Sequence, residues 1–493
     1  MMMMKGSGSI VIGGAFVLVM FAVQIILDPI GLKADVNSHV SLQTKLSQQL
    51  LESKHEGSLR TKNSNASDLL PETGQIFSGA RIRVFVQQEF LRTKQVPPKM
   101  LFRDVFICSR WAVVTTINPP TKSVRKVIEQ PEVCVVIVAD RKTPTKEYLE
   151  LEHKSSRVWF LSVEEQEAMQ DMAITKELRW NHFGRKNLGY LFAIQNGAEV
   201  IFDFEDDNEL VSNIPFVSEN QTWWVADNTQ VYNPYPTFSS LYADLTWPRG
   251  FPLNQIQNTS TRQVPTFVTD GPSIGVIQSL VDQDPDMDAI WRLTGKLPLS
   301  FDDDLRVIVP PGTYSSYNAQ ATLHYALWGM LLPVSVHGRV SDIWRSYIMQ
   351  RLMHDVGKVV GFVSPFVEQL RNTSNYEGTY MSERPLYEKI EALVQVLSQW
   401  KGQSLKFEVR FVELFVELYE RNFIELKDVH LAQKWIKTLQ QMRYQFPTII
   451  NKAVVISQRK RTTTTTSTTT ISSPLPPRPT VPITTSCPTC PTC

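Results

Sequence analysis

Two apolar runs without polar interruption mark the middle of this chain. AVVTTI, Ala112 to Ile117, is stopped by Asn118-Pro119-Pro120, and VCVVIVAD ends at Asp140 before RKTP. A strand that meets water on one face alternates apolar with polar residues, so these two predict strands buried on both faces. KSVRKVIEQP between them reads as a short helix. Strand, helix and strand of this kind predict a parallel sheet covered on both sides. A second such unit begins at Lys186. Leu188, Leu191, Ile194 and, more weakly, Gln195 share one face of a helix from Lys186 to Gln195, Asn196-Gly197 stops it, and EVIFDF is the next strand. ARIRVFVQQEF offers a further strand upstream. From Arg384 to Ile450 the pattern lengthens to the charged and apolar period of helices, as in LYEKIEALVQVLSQWK.

The ends are of other kinds. Ile10 to Leu27 is apolar with Gln24 as its one strongly polar member. At about 1.5 Å per residue it just crosses a thin bilayer, and LDPIGLKAD after it lacks a clean cleavage site. A retained signal anchor is the expectation, with Lys5 on the cytosolic side and the bulk of the chain lumenal. The resulting division is a cytosolic tail at 1–9, the transmembrane helix at 10–27, a polar stem at 28–104, an α/β body at 105–355, a helical region at 356–456 and a Thr/Pro-rich tail at 457–493. That tail reads as an O-glycosylated stalk. N-x-Ser/Thr sequons at Asn65, Asn220, Asn258 and Asn372 agree with a lumenal, N-glycosylated body. Cys134 sits in an apolar run and reads as a buried thiol, unless the strands bring it to Cys108. The terminal CPTCPTC favours disulfides over zinc, because no second ligand pair accompanies it.

Composition narrows the partners. The 493 residues are 42% hydrophobic and carry 50 Lys and Arg against 49 Asp and Glu. A chain so balanced has no long-range field to gather nucleic acid, which is excluded as a partner.

The apolar strand EVIFDF runs straight into Glu205, Asp206 and Asp207. In open parallel sheets ligands bind beyond the carboxyl ends of the strands, so Asn118, Asp140 and this acidic turn are expected at one crevice. Crowded carboxylates repel one another unless a cation intervenes, and a hard divalent ion suits an all-oxygen set. A solvated acidic turn is the other reading. An EF-hand does not fit, since the sixth position from Asp203 is Asn208 and the twelfth is Ile214. A divalent ion at the edge of such a sheet, behind a basic GRKN turn, matches what a GT-A type sugar-nucleotide transferase needs: an ion to neutralise the departing diphosphate, and Arg185 at a helix N-terminus to bind anionic oxygens.

WAVVTTINPPT, VVIVADRKTP, RKNLGYLFAIQNGAEVIFDFEDDN, WPRGFPL, DPDMDAIWRLT and YNAQATLHYALWGMLLPVSVHGRVSDIWRSYIMQRL resemble the STELLO-type glycosyltransferases, Golgi type II membrane proteins. The resemblance covers Trp111 to about Leu352. It implies a GT-A-like, Rossmann-like mixed sheet with helices on both faces, and transfer from a nucleotide-sugar donor to a hydroxyl of a glycan or glycoprotein. The ion, manganese or else magnesium, falls to Glu205 and Asp207. Glu205 departs from the family's usual Asp, which places the direct contact on Asp207. Thr116, Asn118, Asp140, Arg185, Asn187 and Asp206 are assigned to the nucleotide sugar. HGRVSDIWRSY resembles a late acidic element that handles the acceptor, making Asp342 the base candidate with Arg345 beside it; a buried Asp–Arg pair on a helix is the alternative.

Asp302, Asp303 and Asp304 offer either acceptor-hydroxyl recognition or a general base, with Asp303 the catalytic candidate, or else a loop cluster that caps a helix or strand. Asp284, Asp286 and Asp288 either line the acceptor site or cap a helix. GPSIG, Gly271 to Gly275, imitates a hydrolase elbow, but Pro272 precedes its serine and no histidine has independent support. The competing function is a non-catalytic lumenal scaffold, associating with itself or other chains through stem and helical region.

Overall fold

The computed structural model describes residues 99–450 apart from 104–106, 170–171, 217–220, 239–245, 263–266, 303 and 371–374. The chain divides into Met1–Ile76 and Phe77–Cys493, and the described residues belong to the second unit. The predicted anchor, most of the stem, the upstream strand, the Thr/Pro tail, CPTCPTC, Asn65, Asn220, Asn372 and Asp303 lie outside the described residues. Among the described residues, no helix is long and apolar enough to cross a membrane.

The first elements follow the sequence pattern closely. Strand β1 is Arg110–Thr116, helix α1 is Lys122–Ile128 and β2 is Cys134–Ala139. Thr121 caps α1 by accepting from the Val124 amide. Helix α2 (Thr145–Lys154), β3 (Val158–Leu161) and α3 (Val163–Ala168) lead to α4, Lys186–Gln195, and β4, Val200–Asp203. The order β3-β2-β1-β4 is parallel throughout. Along β1, Trp111 and Val113 enter one core while Ala112 and Val114 enter the other, which is why neither face of the run needed polar residues.

Helix α4 is buried nearly all round rather than on one face: every residue from Lys186 to Ala193 is excluded from solvent. Gly189 permits the close approach. A Cβ there would lie 2.6 Å from Val113 Cγ1 and 2.7 Å from Val138 Cγ2. Gly197, at φ +89°, ends the helix as predicted.

Beyond β4 the sheet becomes mixed. After β5 (Asn208–Leu210), β6 (Thr222–Val225), the single turn α5 (Tyr235–Phe238) and β7 (Phe267–Asp270) come β8 (Ile274–Gln283), α6 (Ala289–Thr294), β9 (Arg306–Val309) and β10 (Thr322–His324). Helix α7, Gly338–Asp355, is followed by β11, Val359–Gln369. The full order is β3-β2-β1-β4-β10-β8-β11-β9-β6-β7, with β5 paired to the far end of β11. β10 runs antiparallel to both β4 and β8, while β8 and β11 are parallel. A mixed sheet of this order with helices on both faces fits a GT-A-like glycosyltransferase. β11, in the stretch assigned to the helical region, is a central strand flanked by β8 and β9.

The last helices are α8 (Tyr376–Gln399), α9 (Phe407–Glu420) and α10 (Leu426–Gln441). Leu386, Ile390, Leu393 and Leu397 form the buried stripe of α8 at helical spacing. Polar ties fix these helices to the body: Trp435 Nε1 donates to the Trp328 carbonyl at 2.9 Å, and Asp428 accepts from the Val334 amide at 2.7 Å. Their apolar residues join the core cluster of α4 and α7.

Cys108 and Cys134 form a disulfide, the alternative to the free thiol expected at Cys134. The pairing arises because the segment entering β1 passes beside the start of β2.

Candidate functional site

β1, β2 and β4 are parallel, so their carboxyl ends reach one edge. The acidic turn leaves β4 there, and neighbouring elements hold it from two sides. Asp206 is bound from β1: Thr116 Oγ1 donates to its carboxylate, and Asn118 Nδ2 donates to Asp206 Oδ2 at 3.0 Å. Thr121 Oγ1 donates to the Asp206 carbonyl at 2.6 Å. Thr116, Asn118 and Asp206 are therefore brought together. Asn118 remains exposed at the mouth of the cluster, beside Ile117 at 53% exposure.

The other side comes from the antiparallel half of the sheet. Gln369 Nε2 donates to Asp207 Oδ2 at 2.6 Å, and Gln320 Nε2 to Glu205 Oε2 at 3.2 Å. Asn208 closes the turn, its Oδ1 accepting from the Glu205 amide at 3.1 Å. Asp207 is exposed and Glu205 half-buried, so both reach the surface. Gln320 and Gln369 were not singled out in the sequence. An amide side chain carries no local signature, and both partners lie more than a hundred positions away.

Below the turn is a fully buried ionic cluster. Asp203 lies 2.5 Å from Lys186 Nζ and 2.8 Å from Arg345 Nη1, all three at 0% side-chain exposure. Tyr190 Oη donates to Asp203 Oδ2 at 2.8 Å. Burial acts to raise the Asp203 carboxyl, but Lys186 and Arg345 outweigh it and hold it below its ordinary value. His324 is pushed well below the ordinary histidine value by burial and by Arg345, so it is neutral at physiological pH. Lys186 Nζ also donates to the Phe204 carbonyl at 2.6 Å, which ties the first residue of the turn to α4.

Several expected site residues are committed elsewhere. Arg345, expected at the acceptor or diphosphate, is spent on Asp203 and Tyr190. Asp342, the base candidate, is 2% exposed and paired with Arg249 at 2.8 Å. Arg249 also binds Asp286 at 2.7 Å. Asp342 is thus a buried partner of Arg249, which comes from the segment between α5 and β7, and not of Arg345 three positions along α7, so the helical Asp–Arg pair offered as the alternative does not form. Arg185 donates from Nε to Gln166 Oε1 at 2.9 Å and lies over the Trp180 ring at 3.7 Å. Burial lowers it to about 10. Asn187 exchanges hydrogen bonds with the Leu332 backbone at 2.9 and 3.0 Å. Asp140 accepts from the amides of Arg141, Asn181 and His182, clamping a loop at the end of β2. All three of these residues, assigned to the nucleotide sugar, are therefore buried and engaged within the protein, since local spacing cannot distinguish a residue aimed outward from one aimed inward.

The DPDMD acids are structural as well. Asp284 pairs with Arg292, Asp286 with Arg249, and Asp288 caps α6 through the Trp291 amide at 2.8 Å. The hydrolase-like GPSIG spans the turn between β7 and β8, and His324 lies in the buried cluster. Asn258 is exposed in a tight turn, accepting from the Ser260 amide at 3.1 Å.

Among the described residues, no group of three or more His, Cys, Asp and Glu side chains is placed to hold a metal ion. The turn supplies a smaller set, Glu205 and Asp207, with oxygen ligands only. Such a pair suits an ion of the magnesium type, which takes one or two protein carboxylates and completes its shell from phosphate and water.

Residues 339–469 match the family model of the STELLO glycosyltransferases. In Arabidopsis thaliana, the probable glycosyltransferase STELLO2 is 28% identical over 368 residues, covering 70% of this chain and 46% of the relative. The probable glycosyltransferase STELLO1 is 27% identical over 384 residues, covering 72% and 47%. The chain thus spans about half the length of the curated relatives it matches. The family match begins in α7 and runs through the C-terminal helices, extending the likeness beyond the blocks that end near Leu352. Both comparisons support the STELLO-type glycosyltransferases as the family to which this chain is related.

Proposed function

We propose that this chain transfers a sugar from a nucleotide-sugar donor to a hydroxyl of a glycan or glycoprotein, as a Golgi type II membrane protein dependent on a divalent ion. The observation that carries the reading is the acidic turn at the carboxyl edge of β4, with Asp206 fixed from the end of β1 and the exposed Asp207 held by Gln369 of β11. A manganese or magnesium ion bound there would neutralise charge on the departing diphosphate. Glu205 and Asp207 would hold it. Asp206, fixed by Thr116 and Asn118, would orient the turn, and the exposed Asn118 beside it would contact the nucleotide.

The Cys108–Cys134 disulfide supports an oxidising, lumenal compartment. The exposed Asn258 sequon supports a glycoprotein. One observation favours the scaffold reading: Asp342, Arg345 and Arg185 are all engaged inside the protein, so Asp303, outside the described residues, is the one catalytic candidate left.

Calorimetric titration with nucleoside diphosphates and nucleotide sugars, with and without Mn²⁺, tests the choice. Manganese-dependent binding of one nucleotide supports the transferase and names its donor class. Absence of binding by the folded chain replaces it with the scaffold.

A further inference from the structure

We propose that Gln320 and Gln369 are positioning residues that lock Glu205 and Asp207 into a single ion-binding pair. The inference rests on the reading of those carboxylates as ion ligands. Gln369 Nε2 donates to Asp207 at 2.6 Å, and Gln369 Oε1 accepts from Gln320 Nε2 at 2.7 Å. The same Gln320 nitrogen reaches Glu205 Oε2 at 3.2 Å. One continuous chain of hydrogen bonds therefore joins the two carboxylates from behind.

Three features mark this chain as built for the turn. First, both amides are buried, Gln320 at 1% and Gln369 at 0%, while Asp207 is exposed, so rigid groups restrain a surface carboxylate. Second, Gln320 Oε1 is buried and has no hydrogen-bond partner among the described residues. An orphaned carbonyl is unfavourable, and it persists here because the amide nitrogen is committed to Glu205 and Gln369. Third, Ala321 follows at φ 43°, a left-handed conformation that a residue with a Cβ seldom adopts. That backbone aims Gln320 at the turn before β10 begins.

The physical consequence is preorganisation. Two neighbouring carboxylates repel and drift apart when unrestrained, and an ion must then gather them. Donors fixed behind each carboxylate hold the separation in advance, as outer-shell groups do at metal sites generally. β11 carries Gln369 to the turn because its last residue pairs with Asn208 of β5. The mixed half of the sheet thereby sets the geometry of a site on the parallel half.

The test is Mn²⁺ binding to the full-length chain, alone and with UDP or GDP, followed by calorimetry and by the electron paramagnetic resonance spectrum of the bound ion. Gln320→Met and Gln369→Met keep volume and remove the donors. Each is expected to weaken Mn²⁺ binding about 10- to 100-fold and to alter the bound-ion spectrum. The double variant should lose little beyond the worse single one, because both break the same link. Gln369→Asn, which keeps the amide but shortens its reach, carries the test if a Met variant fails to fold, and a similar loss is expected.

Wild-type affinity in all the glutamine variants, with loss in Asp207→Ala, overturns the positioning role and leaves the ion site standing. Equal binding, or none, in wild type and Asp207→Ala overturns both.

Discussion

Arg345 Nη1 lies 2.8 Å from Asp203 Oδ2 with both side chains wholly excluded from solvent, and Lys186 reaches the same carboxylate from α4. One buried anion thus serves two buried cations, directly beneath the acidic turn. Asp203→Asn leaves both cations uncompensated and should cost about 3–5 kcal/mol of stability. Arg345→Met leaves a neutral Asp203–Lys186 pair and should cost less. Urea denaturation of the two variants checks the order, and the reverse order contradicts this charge balance.

Asp207 and Asp342 should part company under mutation. Asp207→Ala, at the surface, is expected to abolish metal-dependent nucleotide binding and leave the melting temperature within a degree or two, on the order of a neutral surface change. Asp342→Asn keeps an acceptor for Arg249 and should retain nucleotide binding. Calorimetry beside thermal melts separates these outcomes. Loss of turnover in a fully stable Asp342→Asn would restore its role as a base.

Asp288 gives a pH signature. Burial raises its carboxyl to about 6 from an ordinary 3.8. A folded-state value above the unfolded one means the folded protein holds this proton more tightly, so the contribution favours folding below the unfolded value. It is lost as pH rises from 3.8 towards 6. Asp288→Asn should therefore gain stability relative to wild type across that interval, by at most roughly 3 kcal/mol. Any offset from the changed Trp247 contact is independent of pH. Urea midpoints at pH 4 to 7 measure the slope, and a flat difference refutes the assignment.

The Cys108–Cys134 bond closes a loop of sequence separation 26. Replacing both cysteines with serine should cost about 3 kcal/mol, read as a drop in the unfolding midpoint that matches reduction of the wild type. No change on reduction would mean that the thiols are free in solution.

Gly189 tests the seating of α4. A methyl group there meets Val113 and Val138, so Gly189→Ala should destabilise by about 1–3 kcal/mol, against the gain expected from helix propensity alone. A stabilised variant would show that α4 sits further from the sheet.

β1, β2 and β4 were legible because each is an apolar run ended by a polar or proline stop, and burial on two faces leaves no other pattern; β3, Val158–Leu161, was not, since four residues are too few to set a period. α4 and its Asn196-Gly197 terminus were legible as well. β10 and β11 were not legible. Thr322–His324 is too short to carry a period, and Val359–Gln369 adjoins a helical region whose composition resembles its own. Within the candidate site, the acidic turn was visible as carboxylates after a buried strand, and Thr116 and Asn118 as residues at the next strand's end.

The sequence by itself determined the alternation of strands and helices, the edge at which the parallel strands end, and the crowding of acids there. Those follow from local burial and from chain direction. Only the tertiary structure decided which charges face outward. Asp342, Arg345, Arg185 and Asp140 look as available in sequence as Asp207, yet each is buried against a partner inside the protein while Asp207 stays exposed. Gln320 and Gln369 acquire their place only when β10 and β11 close on β4 and β5. A side chain's role is set by what lies within hydrogen-bonding distance, and for these residues that neighbour is fixed by sheet order rather than by the chain.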